Sequence, residues 1–324
     1  RFIFYVILFV VIDVFIQYLF GKDFFGIEYS HHHGKRLSGP FGDELVVGAY
    51  LSKIIFFDLI YLNYLKKNHN YFIFYLITLV ITVFITQERS AFFISLISSL
   101  FFTVFLKTNI KKKVVFIILL PLVLITFFKF DEHSFNKYYK LTILQLGLTD
   151  EYHYRSYATE SKKTIKHKIN NFWDSRYGAH FLTSYKIFLD NKILGSGIKT
   201  FRTSCSLKKY DNIDSLYADI RCNTHPHNLY FELLSEGGLL IFIPFCFIIL
   251  FFLTINIKNL ITNNNYTNSL FNLSLLIILF FPIQTTGSFF STFNGIFYWI
   301  GLAVISNNMK LNFFWHSSQK NKDT

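Results

Sequence analysis

The chain has 324 residues, 52% of them hydrophobic, 20% aromatic and 16% charged, the last well below the roughly 25% of soluble globular domains. That balance points to a membrane protein, with membrane lipids rather than nucleic acid around it. The formal net charge of +12 has two readings: attraction to anionic partners, or the Lys-, Asn- and Phe-rich usage of an AT-rich genome.

The chain opens on Arg1 and runs straight into the apolar residues 2–20. A bilayer span takes about 20 residues, and this stretch lacks the small-residue cleavage site of a removable signal. Further sequence, with further spans, is expected ahead of Arg1. Asp13 and Gln17 lie one helical turn apart on this first span. An outer loop, 21–43, follows, with His31-His32-His33 and the glycine-rich stretch Lys35-Arg36-Leu37-Ser38-Gly39-Pro40-Phe41-Gly42. Apolar runs recur at 45–65, 71–86, 91–106 and 114–128. Lys53 and Asp58 interrupt the first of these. Each costs about 2.5–3.5 kcal/mol at a helix centre, so both are expected to face protein or water.

Residues 129–238 are the one stretch large enough for a soluble subdomain, and it is expected to be mostly helical. A basic amphipathic helix is predicted over 161–173. Asp174 or Ser175 can cap a second helix, in which Tyr177, Phe181, Tyr185 and Phe188 recur near 3.6-residue spacing; it breaks at Leu194-Gly195-Ser196-Gly197. In an oxidising compartment Cys205 and Cys222 can close a short loop worth roughly 3 kcal/mol; otherwise they are two thiols. Cys246 stands alone in an apolar run. Spans at 239–253, 270–283 and 289–305 complete the chain.

The fold class is therefore an all-α polytopic membrane protein with about eight transmembrane helices. It comprises N-terminal helices (1–128), a long-loop subdomain (129–238), C-terminal helices (239–306) and a tail (307–324). With alternating helices, Lys66-Lys67, the cluster 107–113, Lys258, and Lys310 with the tail share one side, which the positive-inside rule makes cytoplasmic. The opposite side holds the loop 21–43, the turn Gln87-Glu88-Arg89-Ser90 and the long stretch.

Candidate chemistry gathers on that outer side. Arg36 can be presented to an anion or sit in a plain surface turn. Arg89 is a snorkelling anchor or an anion contact. Arg176 falls in the first turn of a capped helix, where the macrodipole disfavours a cation; it either meets another partner or is ordinary surface charge. In Thr224-His225-Pro226-His227-Asn228, capping by Asn228 or Thr224 and stiffening by Pro226 explain the turn, with Gly237 ending or kinking the helix. Two histidines remain unexplained by capping. Imidazole takes protons near neutral pH, and neighbouring arginines would keep His227 neutral and competent as a base. The triple histidine has no second ligand set at recognisable spacing, so no metal is expected.

The motifs "KRLSGPFGDE", "TQERSAFFISL", "SRYGAHFLTSYKIFLDNKILGSGIKTF", "HPHNLYFELLSEGG" and "FPIQTTGSFF", in this order, resemble the bacterial O-antigen ligase and O-antigen polymerase superfamily. The resemblance implies a metal-independent glycosyltransferase of the inner membrane with its active face in the periplasm and no cofactor. Its donor is an undecaprenyl-pyrophosphate-linked glycan. Its acceptor is lipid A-core for a ligase, or the next glycan repeat unit for a polymerase. His227 matches the family histidine, the expected catalytic base. Arg36, Arg89 and Arg176 match arginines placed near pyrophosphate, with His225 and Asn228 as further substrate contacts. Gly238 matches the glycine after the spacer, whereas Ile241 departs from the Gly, Thr or Tyr expected there. A lipid-linked-oligosaccharide flippase and a non-catalytic receptor with an outer sensor loop are the competing classes.

Overall fold

The computed structural model of the chain describes residues 2–30, 35–64, 69–146, 152–156, 164–168 and 172–320. His31-His32-His33 and Lys66-Lys67 lie outside the described residues. Each of the eight apolar runs supplies the larger part of a helix or lies inside one: α1 (Phe2–Phe20), α2 (Val47–Tyr64), α3 (His69–Ile85), α4 (Arg89–Phe105), α5 (Ile110–Phe130), α10 (Leu229–Ile261), α11 (Tyr266–Phe280) and α12 (Thr292–Lys320), with the runs at 45–65, 71–86, 91–106, 270–283 and 289–305 reaching a few residues past the helix ends. Between α5 and α10 come α6 (Glu132–Phe135), α7 (Leu141–Gln145), strands β1 (Tyr152–Ser156) and β2 (Thr164–Lys168), α8 (Arg176–Asp190) and α9 (Phe201–Ser204).

Helices suit such runs because a bilayer offers backbone amides no other partner. By length and composition α1, α5 and α10 can cross a membrane, and shorter apolar helices accompany them. Ile117, Ile118, Leu122 and Ile125 of α5 are exposed, an apolar face that hydrocarbon would cover.

The chain divides into two compact units. The first comprises 1–134, 249–281 and 296–324. Its core is aromatic: Phe102 packs 5.0 Å from Phe271 and 5.6 Å from Phe56, centroid to centroid. Polar groups inside it are tied to one another. Asn272 donates to Asn256 at 2.9 Å, and Asn308 donates to Asn272 at 2.8 Å, joining α10, α11 and α12. Lys53 and Asp58 are buried and face protein. Asp58 accepts the Tyr75 hydroxyl at 2.7 Å, while the Lys53 ammonium lies 5.5 Å from the ring centres of both Phe297 and Tyr298. Asp13 and Gln17 fasten the loop after α1 to that helix. Asp13 accepts Phe24 N–H at 2.7 Å, and Gln17 Oε1 accepts Ser38 and Gly39 N–H at 3.0 and 2.9 Å.

The second unit comprises 135–248 and 282–295. Among the described residues it departs from the all-α expectation at one place. β1 and β2 pair antiparallel, from Tyr152 opposite Lys168 to Ser156 opposite Thr164. The helix predicted over 161–173 is thus, in its described residues, strand β2 followed by one 3-10 turn at Phe172–Asp174. β-branched Thr164 and Ile165 favour strand once a partner is present.

Ser175, not Asp174, caps α8, accepting Gly178 N–H at 3.1 Å. The buried face of α8 is Ala179, His180, Thr183, Ser184 and Ile187, while Tyr185 is exposed; of the predicted aromatic stripe, Phe181 is the residue fully buried. It stacks on Phe231 at 4.6 Å, and beside it Ser184 donates to Phe231 O and Ser235 Oγ. Cys205 and Cys222 are joined as a disulfide, Cα atoms 5.3 Å apart, with Cys205 in a small core of Ile187, Phe201 and Tyr210.

The helix α10 bends at Gly238 (φ 61°) rather than at Gly237. There the backbone of the Leu194–Gly197 turn docks edge-on: Ser196 and Gly197 N–H donate to Ser235 O and Glu236 O, and Leu239 N–H to Lys192 O. A Cβ at Gly195 would sit 2.3 Å from Glu236 O, and one at Gly238 would sit 2.4 Å from Ile193 O. The two glycine motifs are therefore halves of one backbone-to-backbone joint. Ile241 lies one turn on, with its side chain against the bare Cα of Gly237.

Candidate active site

The site is assembled in the second unit from α8, the segment 221–228, the start of α10 and the loop 282–291. Asn228 organises it. Its Oδ1 caps α10, accepting Tyr230 and Phe231 N–H at 3.0 and 3.2 Å. Its Nδ2 donates to Pro282 O and Gln284 O at 2.8 and 3.2 Å, which spends both amide hydrogens on structure. Glu232, one turn later and buried, accepts Ser288 Oγ–H and Phe289 N–H. Together they hold the loop 282–291 against the start of α10.

That loop in turn fixes the histidines. Thr286 N–H donates to His227 O at 2.8 Å, bracing a left-handed backbone (φ 59°) at His227 that few non-glycine residues adopt. Thr286 O accepts His225 Nε2–H at 3.2 Å, so His225 Nδ1 is free to accept Thr224 Oγ–H at 2.9 Å. The ring of His227 lies 4.3 Å from that of His225 and 5.4 Å from that of His180, with the Tyr177 ring edge-on at 5.7 Å.

Hydrogen bonding assigns the tautomers. Asn223 Oδ1 accepts Thr224 N–H at 2.7 Å, so its Nδ2 faces His227 Nε2 at 2.8 Å as a donor. The neutral His227 ring thus carries its proton on Nδ1 and its lone pair on Nε2. His180 is fully buried, and its Nδ1–H donates to Arg221 O at 2.8 Å. Arg221 is anchored by Cys205 O, Ala218 O and Asp211, so the disulfide loop supplies the carbonyl that orients His180.

Electrostatics keep these rings neutral. Burial pushes His227 down to about 3, with His225, His180 and Arg176 adding to the effect. Burial also lowers His180 and His225, each partly offset by its backbone carbonyl bond. Arg176 is exposed at the first position of α8, its charge felt at His180 and His227.

Of the sequence candidates, His225, His227, Asn228 and Arg176 come together here, with Asn228 serving the architecture. Arg36 and Arg89 belong to the first unit. Arg36 Nη2 donates to Leu45 O at 2.7 Å and lies 3.6 Å from Glu88 Oε2. The partly buried Glu88 carboxylate also accepts Gly48 and Ala49 N–H at 2.8 and 3.2 Å. Arg89, its chain neighbour, opens α4 as Arg176 opens α8, both against the helix dipole. His180, Asn223 and Glu232 were missed by sequence reasoning. The one signal for His180 was its place one turn beyond Arg176. Among the described residues no group of His, Cys, Asp and Glu could hold a metal ion; the triple histidine is outside them.

Comparison with curated proteins finds no match. The O-antigen ligase family model matches residues 74–246, more than half of the 324 residues and inclusive of Arg89, Arg176, His225, His227 and Asn228. Members of that family are ligases and polymerases that transfer glycans. With membrane-length apolar helices and a matched stretch that runs through the histidine cluster, the chain belongs to the O-antigen ligase family.

Proposed function

We propose that this protein transfers a glycan from undecaprenyl pyrophosphate to a sugar hydroxyl of lipid A-core at the periplasmic face of the inner membrane, without a metal ion. The acceptor hydroxyl replaces Asn223 at His227 Nε2. As its oxygen bonds to the anomeric carbon, its proton passes to Nε2, a contribution of about 10²–10⁴-fold. The carbon–oxygen bond to phosphate breaks, and the electron pair leaves with undecaprenyl pyrophosphate. Direct displacement inverts the anomeric centre. Arg176 takes the developing phosphate charge beside His227, in bidentate fashion, where many transferases use a metal. On the family pattern Arg89 and Arg36 are further pyrophosphate contacts, Arg36 with part of its fork already given to Leu45 and Glu88.

A base near 3 is weak. A bound pyrophosphate favours the imidazolium and raises that value, so donor binding arms the base. The observation that carries the reading is a neutral imidazole, its Nε2 lone pair accepting one hydrogen bond from Asn223, beside an exposed guanidinium.

The test is the lipopolysaccharide banding of a deletion strain complemented with wild type or His227→Ala. Lost glycan attachment with accumulated lipid-linked polymer supports a ligase. A single attached repeat unit shifts the assignment to a polymerase. Normal banding from stably expressed His227→Ala removes the base assignment.

A further inference from the structure

The turn at 192–199, between α8 and α9, carries apolar side chains that its structural role does not call for. Ile193 and Leu194 are each 70% exposed, and Ile198 is 57% exposed. The joint with α10 uses the main chain of this turn and the bare Cα of Gly195. Polar residues at 193, 194 and 198 would serve it equally well. Single apolar residues on a surface need no explanation, whereas a contiguous patch marks an interaction surface. Here the patch is contiguous. The turn runs antiparallel to the start of the 239–253 span: Ser196 N–H donates to Ser235 O, while Leu239 and Leu240 N–H donate to Lys192 O and Ile193 O at 2.8 and 3.1 Å. Ile193 is therefore level with the exposed Leu240, and the exposed Ile243 follows one turn further along the span. Lys192 and Lys199, both exposed, flank the turn. Lysine stems are long enough to keep the ammonium among lipid headgroups while apolar neighbours go below them.

We infer that the turn 192–199 is a membrane anchor: Ile193 and Leu194 enter the headgroup–acyl boundary of the periplasmic leaflet, with Ile198 at its upper edge, and Lys192 and Lys199 contact lipid phosphate there. Two observations select lipid as the occupant. The patch continues, at backbone hydrogen-bond distance, into the exposed face of a helix long and apolar enough to cross a membrane. Its flanking cations match the phosphates of a leaflet, the pairing of basic and apolar side chains that holds interfacial segments. The choice of leaflet rests on the reading that puts the active face in the periplasm; contact with lipid does not. The anchor meets α10 at the Gly238 bend, and the histidine turn stands at the other end of the helical segment 229–237. It thus seats the second unit on the leaflet from which a lipid-linked donor is taken.

The test is spin-label depth in the full chain, held in nanodiscs of phosphatidylethanolamine and phosphatidylglycerol. The Cys205–Cys222 disulfide stays intact, and Cys246→Ala removes the free thiol. Labels at Ile193→Cys and Leu194→Cys are compared with Leu240→Cys in the span and with Lys208→Cys on the exposed surface of the same unit. Collision with oxygen, which concentrates in hydrocarbon, is set against collision with a water-soluble nickel chelate. Labels at 193 and 194 are expected to favour oxygen, as at 240. A preference for nickel equal to that at 208 overturns the anchor. Shielding from both reagents shows that protein, a second copy included, covers the patch, and overturns it too. Lys192→Glu with Lys199→Glu should shift the label at 194 toward nickel; an unmoved label overturns the phosphate contact. Sidedness is read separately, in intact cells, with a thiol reagent that does not cross the inner membrane. It should modify Lys208→Cys. Modification only after lysis overturns the periplasmic reading and with it the leaflet, while the depth result stands.

Discussion

The two units bury polar groups to different effect. In the first, charged and amide side chains close on one another or on backbone: Gln17 on the loop after α1, Glu88 on Arg36 and the start of α2, Asp58 on Tyr75, and the three asparagines in a chain. Single atoms there are left over, Asp13 Oδ2 among them, but they are scattered. In the second unit three imidazoles share one site, with an exposed guanidinium at its rim and a bare Nε2 next to the proposed base. Burial of a polar residue is therefore a poor guide to chemistry. Clustered titratable groups whose capacity is not used up are a better one.

Changes at the proposed reacting groups of the second unit should cost transfer while leaving the fold, and changes at the structural polar groups of the first should do the reverse. The largest effect is expected from His227→Ala, a loss of about 10²–10⁴-fold in glycan transfer at unchanged protein level. Arg176→Gln follows, with about 10²-fold lost, and Arg176→Lys should recover only part because it lacks the fork; full activity in Arg176→Gln would remove the anion contact. Gly238→Ala sharpens the contrast from within the second unit. It touches no reacting group, yet its φ of 61° and the 2.4 Å approach of Ile193 O should cost about 2–3 kcal/mol of stability, read as a lower Tm in detergent. Gln17→Ala should cost about 1–2 kcal/mol by stranding two amides, with transfer per folded molecule retained. Equal losses of transfer in Gln17→Ala and Arg176→Gln would break the comparison.

Near neutral pH the smallest effect is that of pH itself. His227 is held neutral in the fold down to about 3, whereas the unfolded chain protonates near 6.5. Between those values the unfolded state binds more protons, so stability falls as pH drops through that window and is unaffected above it. Tm should decline by a few degrees toward pH 4, and His227→Asn should flatten that slope.

Much of this could be read without coordinates. The apolar runs announce helices because a bilayer leaves the backbone no other choice. The caps before Arg176 and after His227 were each one of two residues that local chemistry offered, and the pairing of Cys205 with Cys222 was one of two readings. What failed was whatever depends on a distant partner. β2 reads as a basic helix until β1 is set against it. The buried face of α8 is offset from its aromatic stripe because Ser184 and Phe181 meet the start of α10. The bend falls at Gly238 rather than Gly237 because Ile193 O comes up against it.

The sequence by itself determined the membrane class, the helical body and the histidine turn, since composition, hydrophobic length and capping act within a few residues of where they are written. Tertiary structure alone decided which nitrogen of His180 and of His225 carries the proton, that Arg36 shares its fork with Glu88, and that His180 stands beside His227. Those outcomes are set by carbonyls and carboxylates tens of residues away, and only folding brings them within 3 or 4 Å.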